Sequence, residues 1–190
     1  MEILFYQDKS FKNITYSEKE TKNREFENCS FISCDFSNGI FSSTKFIDCV
    51  FTSCNLSMAK FKQCQLNNVT FKECKLLGVN FSDCIDFLFS VRFEGCVLDY
   101  SSFVRKKMPK TSFINTSMKN VDFSQCDLTR SKFSNTDLMS SVFYKSILKE
   151  VDFLSALNYS IDPELNSIKK AKFSLQGVVG LLSKYDIEIE

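Results

Sequence analysis

The sequence predicts a solenoid, a chain that turns a corner every five residues and stacks its turns into a rod. Three observations carry this. Large apolar residues recur at an interval of five; a restricted, mostly small residue recurs two places before each of them; and the positions between are largely Ser, Asn, Asp, Lys and Glu. Phenylalanine is correspondingly abundant, 21 of 190 residues, against no tryptophan and two prolines.

The large positions run Phe26, Phe31, Phe36, Phe41, Phe46, Phe51, Leu56, Phe61, Leu66, Phe71, Leu76 and Phe81. The run breaks at Asp86 and resumes two residues out of phase with Leu88, Phe93, Leu98, Phe103 and Met108, continuing to Phe153. Two places before them stand Cys29, Cys34, Gly39, Thr44, Cys49, Cys54 and Ala59, and later mostly Val, Cys, Ser or Thr. A period of five fits neither the helix repeat of 3.6 nor the strand repeat of 2. It requires corners that each turn one large and one small side chain inward. Such internal repetition dictates the architecture.

All nine cysteines lie on the small register, Cys84 at the slip itself. One coil apart, Cys34, Cys54, Cys74 and Cys96 are expected to stack in one ladder. Zinc is disfavoured: there is no C-x-x-C pair and no histidine, and cysteines five apart fall on different faces. The expected role is packing, because a free cysteine behaves as a small, buried hydrophobe. The N-terminus lacks the pattern of a signal peptide and no apolar run is long enough to span a membrane, so the expected setting is the reducing cytoplasm, where structural disulfides are rare.

Lys and Arg (24) nearly balance Asp and Glu (23), so bulk charge selects no nucleic acid or membrane partner. Without histidine the usual Ser–His and Cys–His nucleophiles are missing, no glycine-rich phosphate loop is present, and no carboxylate pair stands out. The expectation is a binding surface with no catalytic residues, cofactor or metal.

Departures from a repeat mark where contacts or caps can sit. In "CIDFLFSVRF", residues 84–93, two extra residues are expected to bulge, with Phe87 and Phe89 flanking an inward Leu88. One phenylalanine is expected to pack under the bulge as a local plug; the alternative is that one or both are exposed as a contact site, so Asp86, Phe87 and Phe89 are candidate partner contacts. In "RKKMPK", residues 105–110, Lys106 occupies a small position that a dry interior rejects without distortion. The segment is expected to loosen locally, and Arg105, Lys107 and Lys110 form a candidate basic contact patch. At the C-terminus Ser174 is placed to cap a short helix carrying Leu175, Val178, Val179, Leu181 and Leu182, followed by a strand-like Ile187 and Ile189. These seven apolar residues are the candidate dimer interface. The chain thus divides into an N-terminal cap (1–24), repeats (25–155) and a C-terminal cap and dimerisation segment (156–190).

The pentads "CDFSN", "CNLSM", "VNFSD", "VDFSQ" and "TDLMS" resemble the pentapeptide-repeat family. The resemblance spans residues 24–155 and implies an all-β fold, a right-handed quadrilateral parallel β-helix with four pentads per coil and about six and a half coils. "FIDCVF" and "CNLSMAKF" are similar to the quinolone-resistance (Qnr-type) branch, which implies a protein partner, DNA gyrase or topoisomerase IV, bound by DNA mimicry, and a homodimer through the C-terminus. Two features depart from that branch. Gram-negative members of the branch carry two projecting loops, of which the first is absent here and the second is reduced to the slip, while loop-free relatives belong to the same branch. No face carries a row of acids. The leading expectation is therefore a scaffold for another protein, with the Qnr-type activity as the alternative.

Overall fold

In the computed structural model, which describes residues 3–185, 187 and 188, the five-residue period becomes a parallel β solenoid. Four columns of pairing join residues 20 apart, or 22 apart across residues 85–86, where the first column is interrupted until Lys107 pairs with Asp127. The first column holds strands Leu4–Gln7, Arg24–Glu27, Lys45–Ile47 and Gln65–Asn67. The second is a nine-stranded sheet from Ser10–Lys12 to Lys172–Phe173. A third consists of single bridges, Thr15 to Asp35 to Asn55 and on to Leu157. The fourth begins with Glu20–Lys22, Ile40–Ser42 and Lys60–Lys62 and continues as bridges through Asn80, Ser102, Asp122 and Val142. Eight steps of ~4.8 Å along the nine-stranded sheet give a stack on the order of 40 Å.

The corners explain the polar positions. Two residues after most of the large residues the backbone enters the left-handed region, as at Asn28 (φ 50), Ser33 (φ 51), Asp48 (φ 52) and Asn115 (φ 50). Asn and Asp tolerate that conformation better than other residues with a β-carbon. At many corners the amide three residues on closes back to the large residue's carbonyl, Ala59 to Leu56 and Ser131 to Leu128 among them. Positive φ at the third residue with this bond is the signature of a type II turn.

Inside, the second column is a ladder of nine phenylalanines, Phe11, Phe31, Phe51, Phe71, Phe93, Phe113, Phe133, Phe153 and Phe173. Their rings stack nearly parallel, with centroids 4.5 Å apart at Phe31–Phe51 and 5.6 Å at Phe93–Phe113. Rings of neighbouring columns meet edge to face, as Phe113 meets Phe123 at 6.0 Å and 77°. Such contacts add to area burial.

The small positions do more than fit. Cys49 donates its thiol to the Phe26 carbonyl, Thr44 its hydroxyl to Thr21, Ser146 to Phe123 and Cys126 to Phe103. Each bond reaches a carbonyl 23 residues back, so a small donor satisfies a buried acceptor in the coil below. Cys34, Cys54, Cys74 and Cys96 form one ladder, with the Cys34 amide donating to the Cys54 sulfur and the Cys54 amide to Cys74. All nine cysteines are buried free thiols. Burial pushes Cys49, Cys64 and Cys126 up to about 12, keeping them protonated and unreactive.

Regular pairing begins at Leu4, within the segment the sequence assigns to a cap. Leu4 pairs with Arg24, Phe11 with Phe31 and Thr21 with Phe41. Tyr6, Phe11, Tyr16 and Thr21 hold the large register there, and Tyr and Thr in place of Phe or Leu hide the phase.

At the other end, Ser174 accepts the Gly177 amide, but an extended helix does not follow. Two 3₁₀ turns, Gly177–Leu181 and Ser183–Tyr185, replace it. Glycines at 177 and 180 weaken helical propensity, and a β-carbon on Gly180 would collide with the Tyr159 carbonyl. Lys184 ties this segment down by pairing with Asp162 (2.8 Å) and Glu164 (2.6 Å). Those carboxylates hold its ammonium above the usual lysine range.

Under the turns lies Tyr159, buried, with a hydroxyl that has no hydrogen-bond partner among the described residues. Removing an unpaired buried hydroxyl relieves a desolvation cost. Tyr159→Phe is expected to raise stability by about 1 kcal/mol, read from the urea midpoint at unchanged slope.

Candidate functional site

The repeat is interrupted at the slip, and the registers across it count the insertion. Val69 pairs with Val91, and Lys75 with Val97, each 22 residues on. The extra length gathers in the first column. A 3₁₀ turn at Phe81–Asp83, whose Ser82 amide bonds the Asn80 side chain, delivers the chain to Cys84. From Ile85 to Leu88 the chain bulges outward. It returns when Ser90 donates to the Leu66 carbonyl at 2.9 Å.

Phe87 is 70% exposed and Leu88 53%, beside a partly exposed Ile85. The inward residue is Phe89, 6% exposed and edge-on to Phe81 at 6.5 Å. The expected roles of Leu88 and Phe89 are therefore exchanged. Leu88 takes the left-handed corner conformation (φ 59), which points it outward and brings Phe89 into the vacant large position. Phe89 plugs the core and adds nothing to the exposed contact surface.

Lys106 is the second correction. It does not loosen its coil: its side chain is 2% exposed, and Met108 beside it is fully buried. In this column each small-register carbonyl accepts an amide from the next coil, Ile85 to Cys64, Asp127 to Lys106 and Ile147 to Cys126. At Cys84 the acceptor is filled by the Lys106 ammonium, at 2.5 Å. The same ammonium bonds the Asp86 carboxylate at 2.6 Å and lies 5.1 Å from the Phe89 ring centroid. A buried cation is tolerable when paired and hydrogen-bonded, and here it has a carboxylate, a carbonyl and an aromatic face. Lys106 braces the bulge from beneath.

Of the other residues singled out, Asp86, Arg105, Lys107 and Lys110 are exposed. Lys107 follows the brace in the coil next to the bulge, whereas Arg105 turns to Gln125, its Nε donating at 3.3 Å. Lys110 lines a separate groove with Arg92, Glu94 and Ser112. The slip thus gathers Asp86, Phe87, Leu88 and Lys107 around one brace, and Arg105 and Lys110 lie outside that group. The C-terminal candidates are spread over exposure. Leu175 is 84% exposed; Val178, Val179 and Ile187 are exposed; Leu181 packs against the core, and Leu182 is partly buried. Ile189 lies outside the described residues.

Part of the exterior charge is paired between coils. Lys45 bonds Glu25 at 3.0 Å, Arg130 bonds Glu150 at 2.8 Å, and Lys119 and Lys72 face Asp137 and Glu94. No helix among the described residues is long and apolar enough to cross a membrane.

Four columns, five residues per corner and an apolar ladder inside define a parallel β solenoid of pentads. The model of the pentapeptide repeat region matches residues 24–85 and 87–160, dividing at the slip, and the chain belongs to the pentapeptide-repeat family. No curated protein sequence matches it. Among solved structures it is similar to QnrB1, a plasmid-mediated fluoroquinolone resistance protein. Two trypsin-treated variants give TM-scores of 0.67 and 0.68 at 17% identity; the alignments cover 95% and 99% of this chain and 100% and 98% of those. Full-length QnrB1 gives 0.62 at 16% identity over 96% of this chain and 100% of that one. At such identity the likeness is one of fold.

Proposed function

We propose that this chain is a non-enzymatic scaffold, a right-handed quadrilateral rod that binds a protein partner through the slip. The observation that supports this most is the apolar bulge of Phe87 and Leu88, held outward by a buried, fully engaged Lys106. A brace beneath exposed apolar residues pre-organises a contact, which lowers the ordering cost of binding. An exposed aromatic of this kind is a typical anchor. The exposed side of the C-terminal segment, with Leu175, Val179 and Ile187, is the corresponding face for pairing two copies.

A second reading, protection of a type II topoisomerase as a DNA mimic, is favoured by the fold likeness to QnrB1 along nearly the whole chain. Against it stands the mixed exterior, because lysines and arginines as numerous as the carboxylates, some of them paired with those carboxylates, offer little resemblance to a phosphate row.

Both readings are tested with purified protein. Titrated into a gyrase supercoiling reaction containing ciprofloxacin, the protein is expected on the leading reading to leave inhibition unchanged. Rescue by equimolar protein would establish the second. In capture experiments a partner of the slip is expected to be retained by the wild type and by Met58→Asp. It is expected to be lost, by about tenfold or more in affinity, with Phe87→Asp. Equal retention by all three would remove the slip from the contact.

A further inference from the structure

We propose that the N-terminal mouth of the rod is a binding site for a planar aromatic anion, independent of the slip. The aromatic interior ends there unfinished. Tyr6 stacks on Phe26 and Phe11 on Phe31, each at 5.0 Å and 11°, and beside these rings a cavity of about 240 Å³ runs inward past Phe36 and Phe41 to Phe46 and Phe51. Ile14, Tyr16, Thr21 and Arg24 also line it. Thr21 stands over Phe41 and leaves the first coil one large side chain short, and a flat ring entering the cavity would take that place beside Tyr6 and Phe11.

The mouth also carries a charge without a counter-charge. Arg24 occupies the small register, in the column that continues through Thr44 and Cys64. Its guanidinium cannot enter so narrow a core, so it lies across the opening. There it donates to the Tyr6 hydroxyl at 3.0 Å, with its centre 5.8 Å from that ring's centroid. Among the described residues no carboxylate pairs with it. Lys106, the other cation in this column, has Asp86. A guanidinium has five donors in a planar fork that matches a carboxylate, so most of its capacity is unspent. An aromatic carboxylate supplies both missing pieces, the ring and the anion.

The probe is 2-naphthoate, with neutral 2-naphthamide as its isostere, titrated calorimetrically into the full chain. Naphthoate is expected to bind one to one and more tightly than the amide, with NMR shifts confined to Tyr6, Phe11, Tyr16 and their neighbours. Arg24→Gln is expected to weaken naphthoate about tenfold and leave the amide unchanged, since a charge-assisted, bidentate contact is lost. Tyr6→Phe, which removes the hydroxyl that aims Arg24, is expected to weaken naphthoate less. No saturable binding, equal affinity for the two probes, or shifts away from the mouth would overturn the assignment. So would sedimentation showing a dimer that Phe5→Asp dissociates while naphthoate fails to bind, which would give the mouth to a second copy.

Discussion

Replacing Phe113 with alanine is expected to lower the unfolding free energy by about 3–5 kcal/mol, the range for deleting a buried aromatic. Phe113 is sealed on every side. It stacks on Phe93 at 5.6 Å and Phe133 at 4.7 Å, and meets Phe103 and Phe123 edge-on at 6.3 and 6.0 Å. The neighbouring coils are fixed by backbone pairing and cannot collapse into the space. Phe173, the last rung, has one stacked neighbour, Phe153 at 5.3 Å, and is half-buried. Its replacement by alanine is expected to cost roughly 1–2 kcal/mol, because less surface and fewer contacts are lost. Urea denaturation of the two variants reads the difference. A solenoid whose stability is the sum of nearest-neighbour terms predicts this gradient from centre to end. Equal losses would mean that the ladder is not what couples the coils.

The second large effect belongs to Lys106, and it runs against the repeat. Alanine is a good small-register residue, so the pentad pattern alone expects Lys106→Ala to be neutral or stabilising. The structure predicts a loss of about 2–4 kcal/mol, composed of a hydrogen bond from a charged donor and the packing of the buried alkyl chain. The ion pair is the minor part. Asp86 is 70% exposed on its side chain, so water screens the attraction, and Asp86→Asn is expected to cost about 1 kcal/mol or less. The larger part is the Cys84 carbonyl, buried and left without its ammonium. A double-mutant cycle between positions 86 and 106 separates the two contributions.

Most of the architecture was legible because a period of five admits few backbones. Each large residue from Phe26 to Phe81 points inward, and the phase shift of two residues at 85–86 reappears as a register of 22 in place of 20. Legibility failed where a local rule was satisfied by an unexpected atom. The pattern nominated Leu88 as inward by counting, but the count carries no information about which residue of a bulge takes the left-handed corner. Lys106 read as a defect because a side chain's partner in the next coil is invisible in a one-dimensional repeat. Across the slip the stacking interval is 22, which sets Lys106 over Cys84. Asp86 reaches it only from within the insertion, 20 residues away, although elsewhere in this fold 20 is the interval that stacks side chains. The same interval joins Arg130 to Glu150 and Asn68 to Asp48. Two polar donors hid the first coil in a similar way, since Tyr16 and Thr21 broke the Phe and Leu count while keeping its phase. The C-terminal helix failed on propensity, with glycines at 177 and 180 where an α-helix would need helix formers.

The central claim is that the slip is a braced part of the rod, rigid enough to present Phe87 and Leu88. Hydrogen exchange at its amides tests this most directly. Ile85 donates to Cys64 at 2.8 Å and Ser90 to Leu66 at 2.9 Å, and in the wild type both are expected to be as protected as Gln65 and Asp127 in the adjoining coils. In Lys106→Ala, Ile85 and Ser90 are expected to exchange faster while Gln65 holds. Fast exchange at Ile85 and Ser90 in the wild type, unchanged by the substitution, would contradict the account and make the bulge a loose insertion with no brace beneath it.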